Sequence, residues 1–407
     1  MPYSVAMLSV HTSPLDTPGR TKDAGGMNVY MRQLAQELGS RNITVDIFTR
    51  WSHETTPQIV QLSPQVRVIH IKAGPLAPIH KHDLYQYLPT FANNIEEFRR
   101  KEGGGYDVIH SHYWLSGVAG LQLARQWDVP HVIMFHTLAH LKQLARPNEP
   151  EPPLRLEMER KLIQQVDCII AATAEERTQI IRYCGATAAQ VEVIACGVDL
   201  KRFAPQDRVQ AREQLGLPQD RPILLFAGRL DPFKGPDLLL QAAAMMEEQA
   251  EIVIVGGKLS GDEDVEKLQA LAEELHIQDR VRFLGALPQQ EMPMMYSAAD
   301  VTVVPSYHEI FGLAAVESLA CGTPVVATRA GGLTTVVSHG ETGFLVPRCP
   351  GFFAERLDTL LRDPELYGQM RAASRASVVQ FSWKHIAANV HHLYDELVSD
   401  VACLVAQ

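Results

Sequence analysis

Short apolar runs recur along this chain at residues 5–9, 45–48, 66–71, 108–111, 131–135, 168–172 and 191–194, separated by segments with helical apolar spacing. Each run is too short for a buried helix and fits a strand. Parallel neighbours need a crossover of a dozen or more residues, and such crossovers cover both faces of a sheet, so the alternation dictates an α/β fold. A second series follows at 222–226, 251–255, 281–283, 301–304, 325–327 and 344–346. Two Rossmann-like, doubly wound domains joined near 199–205 account for both series. The expected boundaries are 1–198 and 199–381. A last helix over about 382–407, with Trp383, Ile386, Ala387, Val390, Leu393 and Leu397 on one face, rejoins the first domain.

The length of 407 residues and the 46% hydrophobic, 21% charged balance supply a core for each domain. A net charge of −10 disfavours a nucleic-acid partner and any anionic lipid surface. No run of about 18 apolar residues is present, so no membrane span is expected. The six cysteines show no Cys-x-x-Cys spacing, and the N-terminus enters a strand directly. Both features point to the cytoplasm.

The chemistry concentrates at strand-to-helix loops. Glu309 and Glu317 stand with seven residues between them, one in the loop after the strand 301–304 and the other in the helix expected over 312–321. Two carboxylates so placed address different parts of one elongated ligand, and the Phe311-Gly312-Leu313 backbone that opens the helix offers free N–H groups to a diphosphate. Arg229 and Lys234 lie in the loop after 222–226, where two cations can clamp a leaving pyrophosphate. The loop Thr21-Lys22-Asp23-Ala24-Gly25-Gly26-Met27-Asn28 enters a helix over 29–38, and its paired glycines let backbone approach a phosphate. The plainer alternative for these features is helix-start acids, a solvated helix glutamate and a tight turn.

Read together, these motifs resemble glycosyltransferase family four. The likeness runs over nearly the whole chain, and within the family it is greatest to the inositol-phosphate glycosyltransferases, through Gly25-Gly-Met-Asn-Val-Tyr30, Lys81-His-Asp-Leu84, His110-Ser-His-Tyr-Trp-Leu-Ser-Gly117 and His136-Thr-Leu-Ala139. The sucrose-phosphate synthases are the second group. The resemblance implies a GT-B fold, with a cleft between two Rossmann-like domains, and a retaining hexosyltransferase that uses a UDP-sugar, either UDP-glucose or UDP-N-acetylglucosamine. It places Arg229 and Lys234 on the diphosphate, Gly25 and Gly26 beside it, Glu317 on the ribose, backbone of 285–287 on the base, Glu309 on the sugar hydroxyls and His136 beneath the sugar. The acceptor, a phosphorylated polyol or sugar, would meet Asn28, Lys81, Tyr113, Thr137 and Arg155, with Lys81 and Arg155 on its phosphate. No cofactor is implied; magnesium, if bound, is not catalytic. The state expected is monomer or homodimer, and Phe203 is read as a wedge between the domains.

Other readings are weaker on chemistry. His110 and His112 share one face of a strand as zinc ligands do, but no third ligand follows at a convincing spacing. Asp262-Glu263-Asp264 matches a metal-diphosphate motif yet leads into a helix, where acids favour the dipole. A nicotinamide dehydrogenase lacks its Gly-x-Gly-x-x-Gly here. A sensor that binds nucleotide sugar without turnover is the remaining alternative.

Overall fold

The computed structural model describes residues 3–16, 25–145, 149–259 and 261–405. The chain divides into two compact units, Met1–Gly197 with Trp383–Gln407, and Val198–Ser382.

In the first unit the strands are β1 (Ser4–Ser9), β2 (Thr44–Arg50), β3 (Ile59–Ser63), β4 (Val66–Ile71), β5 (Val108–His112), β6 (His131–Met134), β7 (Cys168–Ala171) and β8 (Val191–Val193). Their order is β3-β4-β2-β1-β5-β6-β7-β8. All neighbours run parallel except β3, which is antiparallel to β4. β3 escapes the sequence pattern because it is a partly exposed edge strand carrying Gln61 and Ser63 in place of a continuous apolar run. The strand order reverses at β1 and β5, so the loops leaving their carboxyl ends flank the switch point where such sheets bind ligands. The helix Trp383–Val405 packs on the helix Gly26–Ser40. Trp383 also dictates Gly197, where an added Cβ would come 2.3 Å from the indole.

The second unit has β9 (Ile223–Ala227), β10 (Glu251–Val255), β11 (Val281–Gly285), β12 (Val301–Val304), β13 (Val325–Thr328) and β14 (Gly343–Val346). The order β11-β10-β9-β12-β13-β14 is wholly parallel, with the switch point at β9 and β12. Its core is built from strand residues such as Leu224, Ile252 and Val303 and from the inner faces of the helices Pro236–Met245 and Pro350–Arg362. Phe203 belongs to this unit. It is buried with its ring centroid 6.1 Å from that of Tyr296, and Arg375 Nη1 donates to its carbonyl at 2.7 Å. No helix among the described residues is long and apolar enough to cross a membrane.

Candidate active site

In the second unit the predicted residues gather at the carboxyl edge of the sheet. The loop after β9 carries Arg229, whose side chain is 62% exposed and 3.9 Å from Asp231, and Lys234. Lys234 Nζ donates to Glu309 Oε2 at 2.6 Å, and Ser306 Oγ donates to the same oxygen at 3.1 Å. The two loops are stitched through backbone, the Tyr307 N–H donating to the Phe233 carbonyl at 2.7 Å. Close approach is what permits the stitching: a Cβ at Gly235, whose φ is +72°, would stand 2.4 Å from the Pro305 carbonyl oxygen. The Glu309 carbonyl in turn accepts the Gly332 N–H at 2.7 Å, and a Cβ at Gly331 would be 2.0 Å from it. The Gly331-Gly332 pair is thus the floor of the Glu309 loop, a role the sequence reading missed although the doublet was visible.

Gly312, at φ +98°, precedes the helix Leu313–Ala320, and its carbonyl takes the first helical bonds, from Ala315 and Val316. The earlier amide of Leu313 therefore stands at the positive end of the helix, as an anion site requires. Phe311 is buried against Phe381, with ring centroids 5.3 Å apart, and fixes this entry. Glu317, the fifth residue of the helix, accepts from the Tyr296 hydroxyl at 3.0 Å. Burial pushes its carboxyl up to about 7, and the bond from Tyr296 offsets part of that rise. At the other side of the switch point the Gly256 N–H donates to the Gly285 carbonyl and the Ala286 N–H to the Gly257 carbonyl, both at 2.9 Å, which fixes the backbone expected to meet the base.

In the first unit, Gly25 is the N-cap of Gly26–Ser40, and a Cβ added there would meet nothing within 4 Å among the described residues. Residues 21–24 of this loop lie outside the described residues. Asn28 departs from its expected role. It is buried, its Nδ2 donates to Thr12 Oγ1 at 2.7 Å and to the Ser13 carbonyl at 2.5 Å, and its Oδ1 accepts the Gly25 N–H at 3.1 Å. Both N–H groups of this side chain are engaged by the residues after β1, so it has no donor left for an acceptor in this arrangement.

His136 follows β6 in the left-handed region, at φ +58°. Its Nε2 lies 3.0 Å from Nδ1 of His112, at the end of β5. Burial pulls both imidazoles down, His136 to about 3 and His112 well below its ordinary value, so both are neutral. Among the described residues no group of three or more His, Cys, Asp or Glu is placed to hold a metal, and His110 Nδ1 is engaged at 2.6 Å with the Tyr394 hydroxyl. Asp262 caps the helix Glu263–Glu274 by accepting the Asp264 N–H, the helix-start role.

Arg155 is only 3% exposed. Its Nε donates to Glu159 and its Nη1 to Glu151, both at 2.7 Å, while Nη2 donates to the Thr137 carbonyl at 2.6 Å. Its guanidinium carbon lies 4.9 Å from the Tyr113 ring centroid. A guanidinium buried between two carboxylates in this way is a structural cation and not the open grip for phosphate that the sequence suggested. It holds Tyr113 and Thr137 in place instead. The sequence showed the Arg-x-x-x-Glu spacing but not that Glu151 and Thr137 complete the set. Lys81 lies half-buried on the turn Lys81–Asp83, whose His82 feels the charges of Glu151 and Arg155, so this turn stands beside the same cluster.

Two doubly wound units with phosphate-type loops at their switch points define a GT-B glycosyltransferase. The family model for glycosyltransferase family 4 matches residues 24–202, and that for glycosyl transferases group 1 matches 207–377. The D-inositol 3-phosphate glycosyltransferase of Xylanimonas cellulosilytica is 43% identical over 96% of each chain. The enzyme of that name from Frankia alni is 43% identical over 97% of this chain and 100% of its own length. Among solved structures, sucrose-phosphate synthase from Thermosynechococcus elongatus superposes with a TM-score of 0.89 at 35% identity, covering 98% of this chain and 100% of that one. The chain belongs to glycosyltransferase family four and is a hexosyltransferase.

Proposed function

We propose that this enzyme transfers a hexose from a UDP-sugar to a hydroxyl of a phosphorylated polyol, such as inositol phosphate, with retention at the anomeric carbon. The observation that carries the transfer chemistry is the Lys234–Glu309 pair beside the open helix start at Leu313. Without ligand the two charges neutralise each other. A donor diphosphate recruits Lys234, with Arg229, and so releases Glu309 to accept from the sugar's 3- and 4-hydroxyls. Glu317 takes the ribose hydroxyls, and Gly25 and Gly26 complete the phosphate environment. As the bond from the anomeric carbon to the diphosphate oxygen breaks, charge builds on that oxygen, and the prearranged cations stabilise it. The acceptor hydroxyl forms the new bond from the same face and gives its proton to the departing phosphate. His136 lies beneath the sugar, and Tyr113, Thr137 and Lys81 face the acceptor. The scheme requires no catalytic metal.

The acceptor assignment rests on the curated relatives, which are named for inositol phosphate and match at 43% over nearly the full length. The match to sucrose-phosphate synthase supports a second reading, with UDP-glucose and fructose 6-phosphate as substrates. One experiment separates them: UDP release is followed with UDP-glucose and UDP-N-acetylglucosamine against inositol phosphate and fructose 6-phosphate side by side. Turnover on inositol phosphate alone is the expected result. Turnover on fructose 6-phosphate alone moves the enzyme to the second reading, and donor binding without turnover makes it a sensor.

A further inference from the structure

His136 is the residue proposed to lie beneath the sugar, and the structure shows how its imidazole is held. Only its Nε2 meets His112, which is fully buried at the end of β5. His112 Nδ1 faces His136, while His112 Nε2 is buried with no partner among the described residues. A neutral imidazole carries one proton, and placing it on Nε2 would bury an unpaired N–H and leave the short contact between two bare nitrogens unless His136 supplied the proton. An unpaired buried donor is rarer than an unpaired lone pair. The favoured arrangement therefore has the proton on His112 Nδ1, donated to His136 Nε2. His136 then carries its own proton on Nδ1, the nitrogen left to face a ligand.

We propose that His112 is a positioning residue that fixes the tautomer and ring plane of His136, so that His136 presents an Nδ1–H donor to the hexose. This rests on the placement of His136 under the sugar. Three further contacts explain how His136 keeps its left-handed backbone, a conformation strained in a residue with a side chain. The Thr137 carbonyl is held by Arg155, the Ala139 N–H donates to Glu159 Oε2 at 2.7 Å, and the Tyr30 ring packs edge-on with its centroid 5.5 Å from that of His136. The groups that face the pair are His11 from the loop after β1, His110 from β5 and the ring of Tyr30 from Gly26–Ser40. Neither His11 nor His110 favours a charged neighbour. Both rings thus stay neutral, and the directed bond alone selects the tautomer.

Nitrogen-15 NMR of histidine-labelled enzyme, assigned with His112→Asn and His136→Ala, reads the tautomer without reference to activity. The expected spectrum shows a protonated Nδ1 and a bare Nε2 on His136. In kinetics, His112→Leu is expected to lower kcat about 10- to 100-fold, as loss of an outer-shell partner does, with donor KM nearly unchanged. His112→Asn, whose amide nitrogen stands close to the place of Nδ1, should recover much of that loss. A protonated Nε2 on His136, or a His112→Leu enzyme with wild-type kcat, overturns the proposal. A fully active His136→Ala enzyme instead removes His136 from the reaction while leaving the tautomer measurement standing, so the two failures are distinguishable.

Discussion

Lys234 Nζ and Glu309 Oε2, 75 residues apart in sequence, are 2.6 Å apart across two adjoining strand-end loops. The side chains are 27% and 17% exposed, so the pair adds about 1 kcal/mol or less to stability. In the proposed mechanism its consequence lies in catalysis, because a lysine held by a carboxylate is already placed for the charge that would develop on a leaving diphosphate.

Lys234→Ala is therefore expected to lower kcat by about 100-fold or more, the scale on which transition-state donors act, with thermal unfolding little changed. Initial rates and a melting curve on the same preparation check it. A rate near wild type excludes Lys234 from the mechanism.

Placed in the proposed donor site, Glu317 should make binding pH-dependent. Its carboxyl is pushed up to about 7 by burial, and ribose hydroxyls prefer to donate to the ionised form. UDP affinity should rise as pH increases through about 7, and Glu317→Gln should bind more weakly with a shallower profile that keeps only the titration of the UDP terminal phosphate. Calorimetric titration on either side of neutrality supplies the test, and equal slopes in the two enzymes would rule Glu317 out as the group responsible.

Arg155 is buried between two carboxylates, and its loss leaves Glu159 without its counter-charge and takes one of two cations from Glu151. Arg155→Ala should cost about 3–5 kcal/mol in stability, with Lys142 still paired to Glu151. Denaturant unfolding measures this directly. Wild-type stability combined with a raised acceptor KM alone would restore the phosphate grip expected from the sequence.

Acid should loosen the first unit. Burial draws the imidazoles of His110, His131 and His136 down to about 3. Below the ordinary value of about 6.5 the unfolded chain binds protons that the folded chain refuses, so stability is full above that pH and falls as pH drops towards 3. The expected slope is about 1.4 kcal/mol per pH unit for each histidine. Urea midpoints between neutral pH and about pH 5, above most carboxylate titration, check it. A flat midpoint would mean that these imidazoles are reached by water and protonate in place.

The sequence by itself determined the doubly wound architecture, the motifs at the strand ends and the family, because apolar periodicity, glycine doublets and loop spacing are local properties written within a few residues. It did not reveal β3, whose half-exposed edge position leaves no continuous apolar run. It made Asn28 an acceptor contact and Arg155 a phosphate grip, since a polar residue at a motif position shows its chemistry but not whether that chemistry is already engaged. Only tertiary structure decided this. The strand order brings His112 to His136 and Lys234 to Glu309, and it seats Arg155 against Thr137, partners 24, 75 and 18 residues apart. Which donors remain for a ligand is fixed by burial, where each polar group must find a partner within the fold or carry the cost of lacking one.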